Sequence, residues 1–423
     1  YSKQNLPPPD TLEWKNIVSE IESEFDRFPK VMSFSAKPEN HNFSKVKYHE
    51  STSAGYGYHR NPGKYPTHKG PPKQPNHARA TIIASKIVYT CKQKFKDGEW
   101  ESFLDSIPMD STPDVAFTRT QLTELPKLKV RNVFGEAFHY VLLEGLFAQP
   151  LIEQFIHMNS FYYIGHDPII GVTELIESIP PDREQYAVFD WSGFDSSVHV
   201  YEIELAFSLL KRMLIIPDKD TELIFDYVTR LFISRKLAAP DGRIFLRTGG
   251  IPSGSYFTHL VGSIINYVRI KYLLRLLNIT HDLIYTHGDD CLVVFLSHVD
   301  DITGIVHDAA KLGWFIKIEK SQLVQDKHEI EFLGRSSKFG TNYRDIIRGF
   351  RLLVYPEYPV DDPQVSIARL KGIDLDTGSR MLYVPEVYHY LSTQYGDSNL
   401  TLPKEFKRYN IQELHKDYTP TTV

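Results

Sequence analysis

The chain has 423 residues, 42% of them hydrophobic, and a formal net charge of -5, so it can bury a large core and is not intrinsically disordered. Its two cysteines, Cys91 and Cys291, exclude a disulfide scaffold and a thiolate-rich zinc module and suit a reducing compartment; the most apolar long stretch, 261–279, carries Arg269, Lys271 and Arg275 and does not read as a membrane span. The near-neutral charge argues against wholesale coating of nucleic acid but leaves room for a basic channel inside an acidic body.

A chain of this length corresponds to about three domain-sized units, and its first residues carry no signal-peptide pattern. A helix is expected to start at Thr11, with Trp14, Ile17, Ile21, Phe25 and Phe28 on one face and Pro29 ending it. The stretch 51–96 contains no acid but carries Arg60, Lys64, Lys69, Lys73, Arg79, Lys86, Lys92, Lys94 and Lys96. Its Gly- and Pro-broken middle, 55–75, with Tyr56, Tyr58 and Tyr65, reads as an extended surface loop, either solvated or in contact with RNA. A helical region follows over 134–158, with an interruption expected at Pro150. The stretch 342–423 mixes helix and loop signals without a motif.

The chemistry is concentrated between these segments. Lys127, Lys129 and Arg131 alternate with Leu128, Val130 and Asn132, which puts three cations on one face of an extended segment: a row suited to a triphosphate, although solvated surface strands show the same pattern. Tyr186 to Phe189 reads as a short buried strand ending in Asp190, with Asp195 five residues on. The segment 281–295 reads as a hairpin whose tip holds Gly288, Asp289 and Asp290. Adjacent acids between buried strands are costly unless a cation compensates them, and Mg²⁺ takes hard oxygen ligands of this kind. A Gly-Asp-Asp triplet alone is weak, arising by chance on the order of 0.1 times in such a chain. Its company strengthens it: the strand-end Asp190 upstream and, between them, the Gly-rich loop 248–255 leading into a helix to about Leu277, on which Thr258, Gly262 and Asn266 share a face. By themselves those polar residues read better as a helix start capped by Ser253 or Ser255 and an asparagine, Asn266, satisfied in the core.

Together these segments resemble the viral RNA-dependent RNA polymerases, and most closely those of partitiviruses, small bisegmented double-stranded RNA viruses. DWSGFDS at 190–196 resembles motif A, GIPSGSYFTHLVGSIIN at 250–266 motif B, and HGDDC at 287–291 motif C. LGWFIKIEKS at 312–321 is similar to motif D, EFLGR at 331–335 to motif E, and KLKVRNVFG at 127–135 to motif F, with a template-entry motif G near Phe117 to Thr120. The resemblance implies an α+β right-hand polymerase fold: fingers over 1–180, a palm with an antiparallel sheet over 181–340 interrupted by a fingers insertion at about 205–247, and a short thumb over 341–423.

It also implies roles. Asp190 and Asp289 would hold two Mg²⁺ (or Mn²⁺) ions with Asp290 as a weaker ligand, and Lys320 would be the general acid toward pyrophosphate, with Lys317 as its alternative. Lys129, Arg131 and Lys127 would take the triphosphate, and Asp195, Ser253, Thr258 and Asn266 the ribose 2'-hydroxyl. RNA contacts are implied at Arg119, Gly254 and Arg335. The expected partners are template and product RNA, ribonucleoside triphosphates and viral capsid protein, with no membrane, in the virion interior or host cytoplasm. A reverse transcriptase would share the carboxylates but place a bulky side chain where Asp195 stands, and a non-enzymatic viral RNA-binding protein gives no reason for the acids to converge.

Overall fold

The computed structural model describes residues 5–58, 71–119, 131–166, 170–338, 340–356 and 360–397, with Arg119 and Arg131 described by their backbone. The first helix, α1 (Leu12–Arg27), begins where expected: Thr11 Oγ1 accepts from the Trp14 N–H at 3.1 Å, and Trp14, Ile17, Ile21 and Phe25 are buried. β1 (Val31–Met32), α2 (His77–Lys96), α3 (Trp100–Asp110), β2 (Asp114–Arg119) and β3 (Arg131–Gly135) follow, and then α4 (Phe138–His157). No break occurs at Pro150, so the expected interruption is corrected. A proline inside a helix costs about 3 kcal/mol, whereas burying Leu142, Leu143, Leu146, Phe147 and Leu151 on the same helix offsets roughly 1.5 to 3 kcal/mol each.

The 55–75 stretch is also corrected at its ends. Tyr58 is buried, with its hydroxyl 2.9 Å from His139 Nδ1 and the Arg79 guanidinium over its ring. Lys73 donates to Thr52 Oγ1 at 2.8 Å, and burial draws its ammonium down to about 8 against the pull of Glu136. Lys64 and Lys69 lie outside the described residues.

The chain continues through α5 (Gly171–Ser178), β4 (Tyr186–Phe189), α6 (Phe194–Ser197), α7 (Val200–Met213), β5 (Leu214–Ile215), α8 (Lys219–Ile233), β6 (Ser234–Ala238) and β7 (Ile244–Thr248). Then come α9 (Thr258–Leu276), β8 (His281–His287), β9 (Asp290–Phe295), α10 (Thr303–Lys311), β10 (Gln322–Val324), β11 (Ser336–Lys338), β12 (Thr341–Tyr343), α11 (Ile346–Val354), α12 (Pro363–Asp376) and α13 (Val384–Tyr395). One four-stranded sheet has the order β3-β2-β6-β7 and the other β10-β4-β9-β8. The second is antiparallel throughout, and its central strands β4 and β9 are buried on both faces. Side chains alternate across it: Ala187, Phe189, Cys291, Val293 and Phe295 join the main core with α9, while Tyr186, Val188, Leu292 and Val294 join a separate core with Ile176 of α5. The last three helices share a small core around Leu370, Met381 and Val384.

A buried ion pair fastens α9 to α7. Arg269, wholly inaccessible, donates to Glu202 Oε1 at 2.7 Å and Oε2 at 2.8 Å and to Ser197, and lies over the rings of Trp191, Phe194 and Trp314. Glu202 also accepts the His199 N–H at 2.8 Å, closing the start of α7. Arg269→Met should therefore lower stability by about 3 to 5 kcal/mol, because Glu202 is left buried without its countercharge; urea unfolding measures it.

His139 gives a pH dependence. Burial, with the Arg79 charge adding to it, lowers its pKa to about 3, so the unfolded chain binds the proton first as pH falls below 6.5. The neutral ring's contribution is complete above pH 6.5 and is lost as pH falls toward 3, at up to about 1.4 kcal/mol per pH unit. Unfolding midpoints between pH 7 and 4.5 should fall less steeply in His139→Gln than in the parent.

Candidate active site

The carboxylates converge because two adjacent strands end together. Phe189 pairs with Cys291 in the β4–β9 ladder, so Asp190 emerges beside Asp290. His287 pairs with Asp290 across a two-residue turn of Gly288 and Asp289, which leaves Asp289 exposed at the tip. Gly288 has φ 63°, the left-handed conformation that such a turn requires and glycine adopts without strain.

The segment after α10 wraps the end of β4. Lys317 N–H donates to the Asp190 carbonyl at 2.8 Å, and the Asp190 N–H donates to Ser321 Oγ at 3.1 Å. The Lys317 ammonium donates to Asp190 Oδ1 and, at 2.8 Å, to the Trp191 carbonyl. Of the two candidate lysines, the structure puts Lys317 on the carboxylate and leaves Lys320 exposed. The all-oxygen donor set suits a hard cation, and the Lys317 ammonium on Asp190 shows that the place attracts positive charge. Among the described residues no three His, Cys, Asp or Glu side chains gather into a metal cage, so an ion here would complete its coordination with substrate oxygens and water.

The Gly-rich loop is pinned to its surroundings at each step. The Gly249, Gly250 and Ile251 N–H groups donate to the carbonyls of Ile233, Val198 and Asp195, each at 2.8 Å. Ser253 Oγ accepts from the Phe134 N–H at 2.9 Å, and a Cβ on Gly254 would stand 2.0 Å from the Phe134 carbonyl oxygen, so only glycine fits there. Thr258 Oγ1 donates to the carbonyls of Pro252 at 2.6 Å and Ser255 at 2.7 Å. Ser253, Gly254 and Thr258 thus make local contacts that lay the loop against β3, while Asp195 is exposed on α6.

Glu144 of α4, absent from the expected site residues, anchors the same loop. Its Oε2 accepts from Ser255 Oγ at 2.6 Å and the Tyr256 N–H at 2.7 Å. Beside it Arg235 of β6 pairs with Asp114 at 3.1 Å and Glu136 at 2.9 Å, all of them buried. Burial, reinforced by the Glu144 charge, pushes Glu136 well above the usual carboxylate range. The available sequence signal was an acid within the apolar run from Tyr140 to Leu151, which once buried must find a partner.

Two of the expected site residues are buried in the structure. Asn266 is fully buried: its amide donates to the carbonyls of Gly288 at 3.0 Å and Asp290 at 3.2 Å, and its Oδ1 accepts from Trp191 Nε1 at 2.9 Å. It fixes the acidic turn, and Ser263 Oγ helps by accepting the Gly288 N–H at 2.9 Å. Arg335 is buried too, donating to the carboxylate and, at 3.3 Å, the carbonyl of Asp376 on α12, so it ties the last helices to the body. Arg119 and Arg131 are opposite each other in the β2–β3 ladder, whereas Lys127 and Lys129 lie outside the described residues.

The sequence pattern of the family described as viral RNA-dependent RNA polymerase matches residues 1–394. The chain belongs to that family. It is 22% identical over 317 residues to the RNA-directed RNA polymerase of Atkinsonella hypoxylon virus (isolate 2H), covering 62% of this chain and 47% of that one. It is 23% identical over 367 residues to that of White clover cryptic virus 1 (isolate Boccardo/2004), covering 68% and 57%. The chain thus spans about half the length of the curated relatives it matches. The RNA-dependent RNA polymerase of a human picorbirnavirus superposes with a TM-score of 0.65 at 17% identity, covering 99% of this chain and 76% of that one. Sicinivirus 3Dpol RNA-dependent RNA polymerase gives 0.67 at 14%, covering 96% and 86%. The fold is the α+β right hand of the viral polymerases.

Asn266→Ala should cost about 1 to 3 kcal/mol in a denaturant titration, because the Gly288 and Asp290 carbonyls and the Trp191 indole each lose a buried partner. Incorporation of ribo- and deoxyribonucleotides should fall together; a changed ratio between them would return Asn266 to direct sugar contact.

Proposed function

We propose that the chain is the RNA-directed RNA polymerase of a double-stranded RNA virus, joining ribonucleoside triphosphates on an RNA template for genome transcription and replication. The observation that carries this reading is the meeting of Asp190 with the Gly288–Asp289 turn at adjoining strand ends, next to a helix whose Asn266 and Ser263 hold that turn. Bound at Asp190 and Asp289, with Asp290 assisting, two Mg²⁺ or Mn²⁺ ions would supply Lewis-acid activation of the 3'-hydroxyl and charge neutralisation on the phosphates.

The chain's own residues do the rest. Lys129 and Arg131, with Lys127, draw in the triphosphate, and Asp195 and the loop carrying Ser253 and Thr258 meet the ribose. Lys317 neutralises Asp190 until substrate arrives, and Lys320, exposed on the same segment, is available to protonate the leaving pyrophosphate. The fingers occupy 1–180, the palm 181–340 and the thumb 341–423, and an insertion at about 205–247 belonging to the fingers accords with β6 and β7 sharing a sheet with β2 and β3. Capsid protein is the expected partner, and the virion interior or host cytoplasm the expected location. Among the described residues no helix is long and apolar enough to cross a membrane.

Purified protein given single-stranded RNA, a primer, the four ribonucleotides and Mg²⁺ or Mn²⁺ should make template-length complementary product. Asp289→Asn should abolish synthesis while leaving the melting curve unchanged, since the side chain is exposed. Near-parental synthesis by that variant would refute the assignment of the turn as the metal site.

A further inference from the structure

Arg247, near the end of β7, stands where three segments of the site meet. Its Nη2 donates to the Asp195 carbonyl at 3.4 Å, and its guanidinium lies 5.1 Å from the centre of the Phe134 ring on β3. A Cβ on Gly250, whose φ is 71°, would fall 2.1 Å from that Nη2, so the second glycine of the loop makes room for this side chain. Motif A, the Gly-rich loop and the basic strand are therefore all in touch with one cation.

The cation is poorly provided for. A guanidinium has five N–H donors, and among the described residues the long bond to the Asp195 carbonyl is the only hydrogen bond the Arg247 guanidinium makes. It is paired in register with Arg235 on β6, and like charges directly opposite in a ladder destabilise it. Arg235 has Asp114, Glu136 and Glu144 around it, whereas Arg247 is turned toward Asp195. Burial and then the Arg235 charge work against its ionised form, and Asp195 and Asp114 offset this in part. A half-buried, always-charged fork with donors to spare is the arrangement that takes phosphate oxygens in pairs.

We propose that Arg247 is a nucleotide-contacting residue that binds the triphosphate oxygens of the incoming ribonucleotide. Its bond to the Asp195 carbonyl sets that binding beside the residue expected to meet the ribose. The inference rests on the polymerase reading for the identity of the nucleotide, and the geometry around Arg247 carries the rest.

The test compares the full chain with Arg247→Met, Arg247→Lys and, as control, Arg243→Met, an exposed neighbour paired with Asp241. In primer extension Arg247→Met should raise the KM for GTP about tenfold, the size of one charge-assisted hydrogen bond, with kcat within about twofold. Pyrophosphate, which presents similar oxygens, should inhibit Arg247→Met correspondingly less well; Arg247→Lys should recover part of the loss, and Arg243→Met should match the parent. An unchanged KM in a variant that melts like the parent overturns the proposal. So does a raised KM with undiminished pyrophosphate inhibition, which assigns Arg247 to holding Asp195 alone. If Arg247→Met does not fold, Arg247→Lys decides: intermediate KM and pyrophosphate effects support the contact, and parental values overturn it. Should the parent extend no primer, the polymerase reading fails separately. GTP but not guanosine should then still raise the parent's melting temperature and not that of the variant, and equal shifts in both would overturn the contact.

Discussion

The site depends on one buried amide. Asp190, Asp289 and Asp290 are brought together by strand register, and like charges at that spacing repel. What keeps the turn from yielding is Asn266, which grips the carbonyls on both sides of Asp289 and at the same time receives the indole of Trp191, the residue after Asp190. Both carboxylate-bearing strand ends are thus referred to one point on α9, and an amide fully hydrogen-bonded in a dry interior is stiff because each lost bond is expensive there. Lys317 adds the opposite charge from a segment sewn to the end of β4 by backbone hydrogen bonds.

Two buried arginines extend this logic outward. Arg269 joins α9 to α7 through Glu202, so the helix holding the turn is itself fixed. Arg235 gathers acids from β2, α4 and the residue following β3, and through Glu144 the network reaches Ser255 and Tyr256 of the Gly-rich loop. Neither network is an economical source of stability, because desolvating the ions costs nearly as much as pairing them returns. What they contribute is geometry: each side chain has one set of partners, and the loop, the basic strand and the turn keep fixed relative places.

The sheet below the site can tolerate wide changes of sequence, and solved structures at 14% and 17% identity share the fold. Its strands send alternate side chains into two separate cores, and that demand is met by many apolar residues of suitable volume. The acids at its edge occupy strand ends and a turn, where backbone register, and not side-chain packing, sets their position.

The sequence by itself determined the features that depend on local pattern. The α1 face from Trp14 to Phe25 follows from helical spacing, the β8–β9 hairpin from apolar runs around Gly288, and the Gly-rich loop followed by α9 from its glycines and the polar stripe behind them. The tertiary structure alone decided who partners whom. Pro150 stays inside a helix because the residues before it, from Phe138 to Gln149, are buried, and Tyr58 enters the core because His139 is there to pair with its hydroxyl. Arg335 is spent on Asp376, 41 residues away, and Lys317 rather than Lys320 comes to rest on Asp190. Periodicity and turn chemistry act over a few residues and can be read along the chain, but a buried charge or amide is satisfied by whatever the fold brings within about 3 Å, and residues far apart in sequence make that choice.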